Sequence, residues 1–124
     1  MTDSDLGFIT FVGASAPTAG DGEARLEVEA DHRHLNPAGS VHGGLLATLV
    51  DATMGAAVRS AVDEEVPATS QLTVTYLRPG KLGLLVVTAQ VRKRGESITV
   101  CEADVEQDGK SIAHALATFA LIGG

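Results

Sequence analysis

The chain has 124 residues, of which 44% are hydrophobic and only 3% aromatic, so aliphatic side chains must fill its core. That length fits a single domain over residues 1–124, and a chain of this size buries modest surface alone, which favours oligomers. Nine Lys and Arg against 16 Asp and Glu give a net charge of −7, opposite to the basic footprint of a nucleic-acid binder and no attraction to an anionic membrane.

In chain order, residues 8–12 form a short β-prone run, and Ala19-Gly20-Asp21-Gly22 is a turn signal. Arg25-Leu26-Glu27-Val28-Glu29 alternates polar and apolar, the pattern of a strand with one wet face. An irregular loop over residues 32–41 follows. From His42 to about Ala61 the period changes: Leu45, Leu46, Leu49, Val50, Met54, Ala57, Val58 and Ala61 recur at helical spacing. A helix of that length runs about 30 Å at 1.5 Å per residue. The Asp63-Glu64-Glu65-Val66-Pro67 segment ends it. The remainder reads as strands at residues 71–76, 84–91, 98–106 and 112–121, broken by Arg78-Pro79-Gly80, Arg94-Gly95-Glu96 and Asp108-Gly109. The last pair suits a two-residue hairpin turn, in which both residues need positive φ. Two strands, a long helix and about four hairpin-linked strands predict an α+β arrangement with a helix on one face of an antiparallel sheet.

The chemistry concentrates in Asn36-Pro37-Ala38-Gly39-Ser40-Val41-His42-Gly43-Gly44, followed by Asp51. Two glycines at a helix start are costly for the helix but let a ligand approach the backbone. The first turn of a helix has N–H groups without internal partners and the positive end of the dipole, which suits a carbonyl oxygen becoming negative. The same glycines also serve plain close packing. Asp51 falls at the edge of the apolar stripe with small neighbours, Ala47, Thr48 and Gly55, and is either a nucleophile or general base or simply a surface carboxylate. His42 is an acid–base candidate or, as favoured here, a loop-orienting group. Thr69 and Ser70 open a strand, where a hydroxyl could face substrate or serve β propensity alone.

His32-Arg33-His34 lacks a third metal ligand, so no metal or cofactor is expected, and His114 reads as structural. Cys101 is the only cysteine and alternates with Ala103 and Val105, which makes it a core residue with no internal disulfide. Residues 1–11 carry acids and no basic segment before their short apolar run, unlike an export signal, and no apolar stretch reaches the ~20 residues of a membrane helix. A cytoplasmic protein is expected. Arg78, Lys81, Arg92, Lys93 and Arg94 cluster in sequence. They form either a phosphate-binding patch, screened from the acidic remainder beyond about 8 Å, or a charge-guarded sheet edge.

Asn36, His42-Gly43-Gly44 and then Asp51, nine residues beyond the histidine, resemble the signature of PaaI-like thioesterases of the hotdog fold. Val74-Thr75-Tyr76-Leu77-Arg78-Pro79-Gly80, Arg94-Gly95 and Gly109-Lys110-Ser111-Ile112-Ala113-His114-Ala115 extend the resemblance over roughly residues 7–121. It implies a sheet wrapped around a central helix and a homodimer, doubled into a homotetramer, with sites at the subunit interface. It implies an acyl-CoA substrate, Gly43 N–H on the thioester carbonyl, and Asp51 contributed by the partner subunit. It further implies Asn36 near substrate or water and Thr69 near the attacking water. Gly44 and Gly95 accompany the binding segments, and Arg78, Arg92, Lys93 and Arg94 are candidates for the CoA phosphates. A hotdog hydratase or dehydratase is the alternative enzyme, disfavoured by the nine-residue step to Asp51. A non-catalytic acyl-CoA-binding protein and a structural oligomer without a site are the others.

Overall fold

The computed structural model describes residues 7–123. The reading that residues 1–11 carry no export signal falls partly on residues 1–6, outside the described residues. A single helical turn, α1 (Phe8–Phe11), precedes two strands, β1 (Thr18–Gly20) and β2 (Glu23–Ala30). A 3-10 turn at His32–His34 leads to the long helix α2 (Gly43–Ala61). Four strands follow: β3 (Val66–Tyr76), β4 (Gly83–Arg94), β5 (Ile98–Gln107) and β6 (Lys110–Ile122). They form one six-stranded sheet in the order β1-β2-β4-β5-β6-β3, antiparallel throughout. The sheet curls around α2, which touches every strand. This is the wrapped-helix arrangement the sequence led us to expect.

Alternation decides which strand face meets the helix. In β2 every second residue is buried, with Ala24, Leu26, Val28 and Ala30 inward and the charged residues outward. β5 does the same with Cys101, Ala103 and Val105 inside. The opposing helix stripe is Leu45, Leu46, Leu49, Val50, Met54, Ala57 and Val58. Burying each Leu or Val side chain is worth about 1.5–3 kcal/mol, so this seam is what holds α2 in the sheet. Cys101 is fully buried there, and burial raises its thiol pKa to about 11, against smaller lowering by backbone hydrogen bonds at Glu102 and Gln90. It is a core residue, and a protonated thiol is no nucleophile.

The N-terminal segment departs from expectation. The β-prone run at residues 8–12 is helical, because Gly7 and Gly13 at positive φ bracket it and Ile9 turns into the core. The first strand is instead Thr18–Gly20, joined to β2 through Asp21 (φ 54°) and Gly22 (φ 81°). The Asp108-Gly109 hairpin has both φ values positive, 52° and 76°, as its sequence demands. Val66 and Pro67, assigned to the helix terminator, already belong to β3. β3 is a sheet edge, and on its open side no described strand pairs with it.

Candidate active site

The loop before α2 is folded by its own polar side chains. Asn36 Oδ1 accepts from the N–H groups of Ala38 (3.0 Å) and Ser40 (3.1 Å), and its Nδ2 donates to Ser40 Oγ at 3.1 Å. Asn36 therefore shapes the loop, and one of its amide hydrogens has no partner among the described residues. His34 is buried and uses both ring nitrogens: Nδ1 accepts from Asp31 N–H at 3.0 Å and Nε2 donates to the Val12 carbonyl at 2.7 Å. It is a pin between the N-terminal segment and the loop. Among the described residues no group of three His, Cys, Asp or Glu could hold a metal ion. The loop then joins the sheet's far end through Val41 N–H on the Gly80 carbonyl at 2.8 Å. Gly80 fits there closely, because a Cβ would lie 3.1 Å from the Val41 side chain and 3.2 Å from that of Ile112, which would have to shift by a few tenths of an ångström.

His42 is the N-cap of α2, with Nδ1 accepting from Gly44 N–H at 3.0 Å. In a neutral ring the proton then sits on Nε2. Leu45 and Leu46 N–H bond to the His42 carbonyl. Gly43 N–H, at the first helical position, has no acceptor among the described residues. Gly43 lines a cavity of about 350 Å³ together with Asn36, Ser40, Leu46, Tyr76 and Arg78. The Tyr76 hydroxyl donates to the Gly43 carbonyl at 2.8 Å, and a Cβ on Gly43 would stand 3.2 Å from the tyrosine ring. Tyr76 is a contact that strand periodicity alone did not reveal. Its neighbour in space is 33 residues away in sequence.

Asp51 stands about two turns further along α2, half-buried, on the side facing the open edge strand. Thr69 Oγ1 donates to its Oδ1 at 2.7 Å, while Oδ2 has no partner among the described residues. The pairing depends on a bulge. Thr69 sits opposite Phe119 and Gln71 opposite Thr118, so Ser70 is an extra residue, tied by its hydroxyl to the Thr118 carbonyl and hydroxyl. Strict alternation would put residues 69 and 76 on opposite faces. The inserted residue puts Thr69 and Tyr76 on the same face, one toward Asp51 and one toward Gly43.

The candidate cations separate within the chain. Arg78 lies beside the cavity, donating to the Ser111 carbonyl at 2.9 Å, and shares an adjoining groove of about 230 Å³ with Lys81 and Lys110. Lys110 was missed in the sequence because it lies far from the other cations along the chain. Arg92, Lys93 and Arg94 end β4 at the sheet's opposite end. Arg92 pairs with Glu102 (3.4 Å) and Arg94 with Glu65 (3.2 Å), and Gly95 closes the hairpin where a Cβ would meet the Ile98 carbonyl at 2.6 Å. His114 pairs with Asp104 on the sheet's outer face, 2.8 Å away. A cavity of about 550 Å³ also lies on that face, lined by Glu23, Glu102 and Asp104 against the one cation Arg25, and includes none of the candidate residues. Its acidic lining is the wrong sign for phosphates.

Comparison with known proteins agrees with the fold and gives the family. The Thioesterase superfamily matches residues 38–113, a span that begins inside the Asn36 loop and ends in β6. Human acyl-coenzyme A thioesterase 13 is 37% identical over 87% of this chain and 76% of its own length. The solved structure of protein PA5202 from Pseudomonas aeruginosa superposes with a TM-score of 0.91 at 30% identity, covering 97% of both chains. The E. coli PaaI protein of the phenylacetic acid degradation operon gives 0.86 at 29% identity, over 94% of this chain and 84% of that one.

Proposed function

Because the chain belongs to the Thioesterase superfamily, we propose that it hydrolyses the thioester of an acyl- or aryl-coenzyme A to free acid and CoA, with each site shared between two subunits. One observation carries the shared site. From Gly43 to Asp51 the helix rises about 12 Å, at 1.5 Å per residue. A carbonyl oxygen on the Gly43 N–H and a nucleophile held by the same chain's Asp51 would therefore stand too far apart, since reacting atoms must approach to about 3–3.5 Å. An antiparallel pairing of two β3 edges, which are open in the single chain, brings one chain's Asp51 toward the other's Gly43. The homodimer, doubled into a tetramer, follows from the same reading.

In that arrangement the thioester carbonyl rests on Gly43 N–H at the positive end of α2, where charge developing on oxygen is stabilised. The partner subunit's Asp51, with one oxygen held by Thr69, turns its free oxygen to a water and removes its proton, or attacks the carbonyl itself. The acyl or aryl group occupies the cavity beside Leu46, and the nucleotide phosphates lie toward Arg78, with Lys81 and Lys110 adjoining. Among the described residues no helix is long and apolar enough to cross a membrane.

The test is hydrolysis of phenylacetyl-, hydroxybenzoyl- and fatty acyl-CoA, followed by subunit complementation. Asp51→Asn and Gly43→Ala chains carrying different tags are co-expressed and the doubly tagged protein is isolated. A shared site predicts roughly half of wild-type activity per heterodimer, since one of its two sites is intact. Activity no greater than the mean of the two parents would place both functions in one chain and sink the shared site.

A further inference from the structure

Two adjacent glycines leave the first turn of α2 poorly held by its own propensity, each costing about 1 kcal/mol relative to alanine. Gly43 N–H has to be aimed all the same. The Tyr76 hydroxyl bonds the carbonyl of Gly43 at 2.8 Å, and that carbonyl shares its peptide plane with Gly44 N–H, which donates to His42 Nδ1 at 3.0 Å. The chain of contacts therefore runs from phenol to peptide to imidazole. Tyr76 is half-exposed, so burial of its ring is not what places it there. The fit is reciprocal, because any Cβ at position 43 would press on the ring at 3.2 Å.

We propose that Tyr76 is a positioning residue for thioester cleavage. Its hydroxyl fixes the Gly43-Gly44 peptide so that Gly43 N–H points into the cavity, and through Gly44 it holds His42 in the Nε2–H form, facing outward as a donor. Tyr76 acts through Gly43 and His42 and need not touch the reacting atoms. The inference rests on the thioesterase reading for its kinetic consequence, while the geometry of the first turn can be read without any substrate.

The experiment uses the full chain in two altered forms. Tyr76→Phe keeps the ring and removes the donor. kcat on the best acyl-CoA substrate should fall roughly fivefold to tenfold, the worth of one neutral hydrogen bond, with KM within about twofold. Amide exchange at Gly44 should accelerate, and the imidazole nitrogen shifts of His42 should move away from a pure Nε2–H pattern. The chain contains a single tyrosine, so biosynthetic replacement by 3-fluorotyrosine alters this position alone. The fluorinated phenol is a stronger hydrogen-bond donor, so amide exchange at Gly44 should slow and the His42 nitrogen shifts should move closer to the pure Nε2–H pattern.

Wild-type kcat in Tyr76→Phe, or unchanged Gly44 exchange with unchanged His42 shifts, overturns the proposal. If Tyr76→Phe does not fold, the fluorotyrosine protein decides, and unchanged Gly44 exchange with unchanged His42 shifts overturns it. If the wild-type chain cleaves no acyl-CoA, the thioesterase reading fails by itself, and the exchange and nitrogen shifts still decide whether Tyr76 holds the turn.

Discussion

The two ends of the candidate site are built to different standards. At the Gly43 end everything is internal to the chain: a self-bonded loop, a histidine cap, a strand tyrosine on the first helical carbonyl and a walled cavity. At the Asp51 end one hydroxyl holds one carboxylate oxygen, and beyond it lies the edge of β3, with no pairing strand on that side among the described residues. A donor must point in one direction before substrate arrives, so it is fixed in advance. A base must exchange water and protons, so it can sit at a seam. If the site is shared as proposed, the difference teaches that one half of the chemistry is complete in a single chain, whereas the other half waits for a second copy.

That contrast can be broken at either end. Asp51→Asn should have the largest effect, lowering kcat by about 10²–10⁴-fold while the fold stays intact, because the side chain keeps its shape and loses its basicity. Activity near wild type with an unchanged melting temperature would remove Asp51 from the chemistry. Gly43→Ala comes next, with kcat falling roughly tenfold to a hundredfold, below the 10²–10³ cost of deleting an oxyanion donor outright. Its Cβ must displace the Tyr76 ring. Stability should barely change, since alanine returns about 1 kcal/mol of helix propensity at the same position. A melting scan beside the kinetics separates the two effects. Thr69→Val should cost least, about tenfold in kcat with KM unaltered, as a hydrogen bond to a charged group is worth about 1.5–3 kcal/mol and this one is partly solvated. An altered KM would mean that Thr69 meets substrate and does not merely orient Asp51.

The same contrast explains how much could be read from the residues alone. The helix and its apolar stripe, the glycine pair and the Asp108-Gly109 turn are local patterns, and each stands where its period or its φ requirement put it. Residues 8–12 misled because Phe, Ile and Thr favour strands, yet no neighbouring strand is there to pair with them and flanking glycines let the chain coil. β1 has three residues and no alternation to detect. Tyr76 was legible as a strand residue but not as an anchor, since its partner is set by the wrapping of the sheet. Thr69 required knowledge of an extra residue at Ser70, and a bulge leaves no periodic trace. The cations are the instructive case: neighbours in sequence divide between two ends of the sheet, and Lys110, distant in sequence, joins Arg78 and Lys81.

The lone cysteine has a practical corollary. Thioester cleavage by the proposed route liberates one coenzyme thiol per turnover, which aromatic disulfide reagents capture as coloured thiolate. Cys101 is wholly enclosed and keeps its proton up to a pKa of about 11, so the folded protein contributes no competing sulfhydryl at neutral pH. Every equivalent of colour then reports product, and a slow late rise at high temperature would report the opening of the protein itself.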